Sequence, residues 1–284
     1  MAIKDQGMLF LCATPIGNLR DITARVVDTL KEVDIIAAED TRNSLKLLNH
    51  FDIHTKLTSY HEFNKYDKAD ELIDEMRRGK NIALITDAGT PGISDPGEVL
   101  VSKCHEEGIT VTSLPGACAL ITALTMSGLC SRRFVFEAFL PTDKKEKAEV
   151  LGSLKGETRT IIIYEAPHRL KKTIAELAEY LGGSRQVAFC RELTKQHEEV
   201  MRMTLSQAAD YYEQNEPRGE YVLVIEGESK EKLKTQELTE WQELTIREHM
   251  SIYENMGYDS KEAMKLVAKD RGVSKRDIYK ELIE

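Results

Sequence analysis

The sequence predicts an α/β fold in which helices cover mostly parallel sheets, followed by a small helical tail. Three observations predict it. Short apolar runs alternate with amphipathic stretches from Met8 to Ile225, the pattern of strands joined by crossover helices. Most of these runs end in acids or in turns rich in Gly and Pro, and in such sheets ligands bind outside the carboxyl ends of the strands. From Glu228 to Glu240 the chain becomes charged and poor in apolar residues, which sets the alternating region apart from the tail.

Met8 to Ala13 (MLFLCA) is a short strand that runs into the turn TPIGNLRD, rich in Pro15, Gly17 and Asn18. Thr23 to Lys31 is helical, capped by Thr23 or Asp21. Asp34 to Ala38 (DIIAA) is the next strand, ending in Glu39-Asp40-Thr41-Arg42. A helix through His50, a strand near Thr55 to Ser59 and the loop Tyr60-His61-Glu62-Phe63-Asn64 come next. Then come an amphipathic helix to about Arg78, a strand from Ile82 to Thr86, and the loop that continues to Gly97. A helix through Glu107, a strand from Ile109 to Ser113, and LPGACA opening a helix of small residues complete this series.

Around Gly128 to Arg133 that helix stops, which places a boundary between residues 8–130 and 131–227. A second strand-helix series begins with Phe134 to Phe139 and the charged helix Asp143 to Leu154. It continues with strand Thr160 to Tyr164, a helix opened by Glu165-Ala166-Pro167-His168-Arg169, strand Gln186 to Arg191 with Glu192-Leu193-Thr194-Lys195 after it, and strand Tyr221 to Ile225. Residues 228–240 read as a linker or solvated helix, and 241–284 as the tail. There Asp259 and Glu262 make a capping-box-like pair, Gly272 ends that helix, and Ser274 with Asp277 starts the next. This helix-turn-helix outline carries seven basic against five acidic residues from Lys261 onward. It serves either nucleic-acid contact or plain packing. Trp241 is expected to pack in this region and not to stack on a base.

The 284 residues are enough for two or three compact units, each with its own core. A formal net charge of −9 argues against one large basic surface for bare nucleic acid but leaves room for a local basic patch. No apolar run approaches the roughly 20 residues of a membrane span. The start MAIKDQGMLF lacks a charged-then-apolar signal pattern, so a cytoplasmic location without membrane attachment is expected. The five cysteines are odd in number and make no CxxC pair, which reads as reduced thiols and no metal site.

The stretch ALITDAGTPGISDPG, Ala83 to Gly97, is a strand delivering its carboxyl end into a stiffened loop. Gly89, Gly92 and Gly97 permit backbone geometry and close approach that a side chain blocks, while Pro91 and Pro96 restrict the loop. Between Asn81 and Ser102 there is no Lys or Arg, whereas Asp87, Asp95 and Glu98 are acidic, so phosphates are disfavoured. The GxxxxGK[ST] and GxGxxG spacings are absent as well. A ligand with hydroxyls, an adenine and a positive charge suits it, and S-adenosylmethionine has all three. The plainer alternative is a Gly/Pro turn with no ligand.

Together TPIGNLRD, AEDTR, SYHEFN, TDAGTPGISDPG, LPGACA, YEAPHR, CRELTK and GEYVLVIEG resemble the tetrapyrrole methylase family of S-adenosylmethionine-dependent enzymes. AEDTR, the His-Glu loop, APHR and RELTK are similar to its ribosomal branch, which 2′-O-methylates a cytidine in the decoding region of 16S rRNA in the 30S subunit. The resemblance spans roughly Met8 to Gly227, and the tail is similar to that branch's C-terminal extension. It implies a two-domain α/β fold with the cofactor in the interdomain cleft, and a homodimer. It also implies cofactor contacts at Pro15, Ala88, Gly89, Thr90, Ile93, Cys118, Ala119, Glu165 and Leu193. Asp87 and Asp95 are assigned to shaping the central loop or meeting the cofactor's cationic end. Many family members carry Gly-Gly-Asp-Pro where this chain has Ala88-Gly89-Thr90-Pro91, a departure that speaks against a tetrapyrrole substrate.

Methyl transfer to a ribose hydroxyl needs the oxygen held near the methyl and its proton drawn off. The strand ends offer Glu39, Asp40, His61, Glu62, Glu165, His168 and Glu192, of which Glu39, His61, His168 and Glu192 are the candidate catalytic groups. The competing role for each histidine is a structural hydrogen bond. For Glu39 and Glu192 it is an ion pair with Arg42 and Arg191. Arg42, Arg169, Arg191 and Lys195 are candidates for holding RNA phosphates. Two other functions fit the same residues less closely: a tetrapyrrole C-methyltransferase, and a non-catalytic nucleoside-binding regulator.

Overall fold

The computed structural model describes residues 6–283, apart from the side chains at 236, 237, 240, 242 and 243. The reading of positions 1–5 as free of a signal pattern lies outside the described residues. Five strands, β1 (Leu9–Cys12), β2 (Ile35–Ala38), β3 (Lys56–Ser59), β4 (Ile82–Ile85) and β5 (Val111–Leu114), form one sheet in the order β3-β2-β4-β1-β5. All four pairings are parallel, and the central β4 aligns Ile82 with both Leu9 and Ile35.

Strand residues alternate between two cores, as the period of two requires. Leu9, Leu11, Ile35, Ala37, Ile82 and Leu84 pack on one side against α3 (Lys65–Arg77) and α4 (Gly97–Glu106). Cys12, Ile36, Ala38, Ala83 and Ile85 pack on the other against α1 (Ala24–Glu32) and α2 (Thr41–His50). With both faces covered, β1, β2 and β4 are apolar throughout, which makes them legible as short unbroken runs. Thr23, not Asp21, caps α1 by accepting the Val26 N–H.

The second sheet departs from the expected parallel arrangement. It contains β6 (Phe134–Phe139), β7 (Thr160–Glu165), β8 (Gln186–Arg191), β9 (Glu199–Thr204) and β10 (Tyr221–Ile225) in the order β6-β7-β10-β8-β9. Only β6 and β7 run parallel, while β10 inserts antiparallel between β7 and β8, and β9 pairs antiparallel with β8. The sequence reading missed β9 because EVMRMT is an edge strand of partly covered, mixed residues without an apolar run. It also missed the helix behind it, α8 (Leu205–Gln214), although Thr204 and Gln207 form a capping box there.

One face of this sheet packs against α6 (Lys144–Leu154), α7 (Pro167–Leu181) and α8. The other face, with Ile162, Ala188, Cys190, Val222 and Val224, receives α5 (Ala119–Ser127) through Leu120, Ala123 and Leu124. Because α5 leaves the first sheet and packs on the second, one helix ties both halves together. Beyond β10, the charged stretch is helical as α9 (Lys230–Glu243). Three further helices, α10 (Ile246–Asn255), α11 (Ser260–Asp270) and α12 (Lys275–Ile283), close a small core around Met250, Val267 and Ile278. Asp259 caps α11, and Ser274 exchanges hydrogen bonds with Asp277 at the start of α12. The Trp241 ring lies flat on His249, with centroids 4.0 Å apart.

Candidate functional site

The loop after β4 is held by its own hydrogen bonds. Thr14 and Gly89 exchange backbone bonds of 2.9 and 3.1 Å, which joins the turn after β1 to this loop. Thr90 Oγ1 donates to the Ala117 carbonyl at 2.9 Å, fastening the same loop to the entrance of α5. The Asp95 carboxylate accepts the N–H groups of Gly92, Ile93 and Gly97 at 2.8 to 2.9 Å. Asp95 is thereby the internal brace of the loop. Asp87 instead accepts the Asp40 N–H at 3.2 Å, linking the ends of β4 and β2.

Gly89 has φ +88°, and a Cβ built there falls 3.3 Å from Ile16 Cγ2 and 3.6 Å from the Ala117 carbonyl oxygen. Only glycine adopts this conformation without strain, and its bare backbone forms part of a cavity wall.

The second sheet supplies the facing wall. The Leu120 N–H donates to Tyr164 Oη at 3.1 Å, which pins the start of α5 to the end of β7. After β8, Glu192 and Thr194 both adopt positive φ, 50° and 63°. These non-glycine residues in the left-handed region are strained, and between them Leu193 is buried in the core that faces α5. The result is a cavity of about 450 Å³ lined by residues from both sheets, including Ile16, Gly89, Cys118, Tyr164, Leu193 and Tyr221.

The wall is acidic. Burial first, and then the nearby Asp87, Asp95 and Asp40 carboxylates, push the Glu39 carboxyl above its usual range. Asp40 goes the other way, down to about 2, because the Arg42 guanidinium and N–H hydrogen-bond to it. Among the described lining residues Lys195 is the one cation, and it is neutralised by Glu192 at 2.9 Å and Glu220 at 2.8 Å. Burial acts to raise the Glu192 carboxyl, but the Glu220 N–H and the Lys195 ammonium outweigh it and hold it below its ordinary value.

Ten of the eleven residues expected at the cofactor line this cavity: Asp87, Ala88, Gly89, Thr90, Ile93, Asp95, Cys118, Ala119, Glu165 and Leu193. Pro15 does not, and the adjacent Ile16 takes that place. Glu39 and Lys195 also line it, whereas His61, His168, Glu192, Arg42, Arg169 and Arg191 do not. The expected ion pairs are replaced by others. Arg42 binds Asp40, not Glu39, because its guanidinium folds back over the cap of its own helix. Arg191 binds Glu199 and the Arg218 carbonyl, not Glu192, because β9 lies beside β8 and presents Glu199 at the same level.

Arg169 donates to the Leu140 carbonyl at 2.6 Å and sits 3.3 Å from Glu165. The Glu165 carboxylate, fully buried, also accepts from Thr173 Oγ1 at 2.5 Å and from the Ala166 N–H at 2.9 Å. His168 lies in the first turn of α7 and is exposed, while His61 Nδ1 is buried without a hydrogen-bond partner. The sequence reading missed Phe139, Tyr164, Glu220 and Tyr221 as cavity residues. Three of these stand inside the motifs YEAPHR and GEYVLVIEG, so their strand-end positions were the available signal.

A profile of the Tetrapyrrole (Corrin/Porphyrin) Methylases matches residues 8–209, most of the chain, from before β1 into α8. The chain belongs to this family. It is 50% identical over 275 residues to the ribosomal RNA small subunit methyltransferase I of Halalkalibacterium halodurans, covering 97% of this chain and 94% of that protein. To the protein of the same name from Bacillus subtilis it is 48% identical, again over 97% and 94% of the two chains. Among solved structures of the same fold, diphthine synthase superposes with a TM-score of 0.60 at 12% identity, covering 78% of this chain and 90% of that one. A uroporphyrin-III C-methyltransferase from Thermus thermophilus, complexed with S-adenyl homocysteine, gives 0.55 at 18% identity, covering 78% and 97%. These solved structures share the two-sheet frame with the chain.

Proposed function

We propose that the chain is an S-adenosylmethionine-dependent methyltransferase acting on the ribose 2′-hydroxyl of a cytidine in the decoding region of 16S rRNA. In this reading the assembled 30S subunit is the substrate, and the enzyme works in the cytoplasm as a homodimer whose residues 8–130 and 131–227 form the two lobes around the cofactor. The observation that carries the cofactor is the cavity's charge: acidic Glu39, Asp87 and Asp95, and a lysine already neutralised by two glutamates. Such a wall favours a sulfonium and an amino group and disfavours phosphates. Full-length likeness to relatives named for small-subunit rRNA supports the acceptor.

The residues fit the cofactor. The bare Gly89 backbone gives a cradle that a Cβ would narrow, and Ile16, Leu193 and Val222 add apolar wall for an adenine. Ala88, Gly89, Thr90, Ile93, Cys118, Ala119 and Leu193 would hold it. When bound, the cofactor supplies an electrophilic methyl on a positively charged sulfur. The chain's own task is to place the acceptor hydroxyl and take its proton. Glu39, in the wall and raised by burial and neighbouring acids, holds that proton better than an ordinary carboxylate does, as a general base working on a weak acid must. Glu192 is held below its ordinary value and engaged by Lys195, so it serves as a brace of the wall. No described helix is long and apolar enough to cross a membrane.

The test is incubation with labelled S-adenosylmethionine and, separately, undermethylated 30S subunits, naked 16S rRNA and uroporphyrinogen, followed by mapping of the label. Label on a 30S cytidine ribose is the expected result. Label on the macrocycle alone establishes a tetrapyrrole enzyme, and tight cofactor binding with no transfer to any acceptor establishes a regulator.

A further inference from the structure

Phe63 is 97% exposed, the largest value among the large hydrophobic side chains described, and Tyr66 three residues on is 62% exposed. Two rings in water are a standing cost unless a ligand covers them. The turn that carries Phe63 is stiff. The His61 N–H donates to Asn64 Oδ1 at 2.8 Å, the Asn64 N–H returns to the His61 carbonyl at 3.0 Å, and Lys65 pairs with Glu62. The His61 ring meets Phe63 edge-on at 6.1 Å.

This turn is also tied to the cavity. It comes after β3 at the carboxyl edge of the first sheet, where β2 delivers Glu39. The Tyr60 N–H donates to the Ala38 carbonyl at 2.8 Å, one residue before Glu39, and Tyr60 Oη donates to the Pro96 carbonyl at 3.0 Å, one residue after Asp95. Tyr60 is itself buried, so both anchors are shielded from water.

We propose that Phe63 is a stacking platform for an unpaired base of the substrate RNA, seated next to the nucleotide whose ribose enters the cavity. A flat ring fits because every base has a π-face, so the platform holds a base whatever its identity. Pre-ordering the turn removes the entropy cost of presenting the ring. This inference rests on the RNA methyltransferase reading above.

The experiment compares steady-state methylation of undermethylated 30S subunits by the wild-type protein and by Phe63→Ala, Phe63→Leu and Phe63→Tyr, with cofactor affinity measured by calorimetry. Phe63→Ala and Phe63→Leu should raise KM by roughly 5- to 150-fold, the range of one base-aromatic stack, with kcat within about threefold and cofactor affinity unchanged. Phe63→Tyr should restore the wild-type KM. Full rescue by leucine overturns the platform in favour of a plain apolar contact such as a ribosomal protein would make. An unchanged KM in Phe63→Ala overturns it outright while leaving the methyltransferase reading intact. A wild-type protein that transfers no label to 30S subunits overturns both.

Discussion

Replacing Gly89 tests whether the loop after β4 is built for a ligand. Alanine at φ +88° carries the left-handed penalty of about 1–2 kcal/mol, and its Cβ falls 3.3 Å from Ile16 Cγ2. Gly92 is the control, with φ +85° but nothing within 4 Å of an added Cβ, and it does not line the cavity. Gly89→Ala and Gly92→Ala should therefore lose similar stability, about 2–4 °C in Tm for each kcal/mol in a chain of this size class. They should differ in cofactor affinity. Gly89→Ala is expected to weaken S-adenosylmethionine binding by about tenfold, since a loss of about 1.4 kcal/mol suffices for that. Gly89→Val, whose branched side chain also intrudes on the cradle, should abolish binding, and Gly92→Ala should stay within about threefold of wild type. Differential scanning fluorimetry and isothermal titration calorimetry on the same preparations separate the two effects. Wild-type affinity in Gly89→Val, or equal losses in both alanine variants, refutes the assignment of this backbone to the ligand.

Glu39→Gln should lower kcat by about 10²- to 10⁴-fold, the usual worth of a general base. Retained kcat removes Glu39 from the chemistry. Because the folded protein raises this carboxyl, the native state binds its proton more tightly than the unfolded chain does. The group's contribution to stability is therefore present at low pH and is lost as pH rises from the ordinary carboxylate value through the raised one. Glu39→Gln should accordingly match or exceed the wild-type Tm at neutral pH, and a lower Tm contradicts the sign. Thr173→Val takes a donor from the fully buried Glu165 carboxylate, and a loss of about 1–3 kcal/mol in urea unfolding is expected. No change there means the carboxylate has found another donor. Arg42 is 88% exposed and paired with Asp40, so Arg42→Ala should leave thermal stability essentially at the wild-type level, solvent screening leaving such a pair little weight. It should shallow the salt dependence of 30S binding by about 0.7 to 0.9 in log–log slope if Arg42 meets a phosphate, and an unaltered slope says that it does not.

The first sheet was legible because its three inner strands β1, β2 and β4 are covered on both faces, so each is an unbroken apolar run with a turn behind it, and the edge strands β3 and β5 stood out by their place in the alternation. The second was legible only in part. β9 is an edge strand whose EVMRMT has no such run, and the return of β10 between β7 and β8 is a matter of pairing that no local pattern records. The loops around the cavity stood out through their Gly, Pro and acidic residues, and ten of the eleven proposed cofactor residues do line one wall or the other. The ion partners did not stand out. Glu39 and Arg42 are three residues apart, yet Arg42 turns to Asp40. Glu192 adjoins Arg191 in the chain, yet it is Lys195 that reaches its carboxylate.

By itself the sequence determined the alternation of strands and helices, the family, the acidic glycine-bearing loop and the helical tail, since these depend on residue type and short spacing. Only the tertiary structure decided that α5 bridges the two sheets, that Tyr164 and Tyr221 complete the cavity, and that Glu39 rather than Glu192 has its carboxyl raised. The physical reason is that burial and the proximity of charges depend on distances between segments far apart in the chain, and those distances exist only once the sheets have packed.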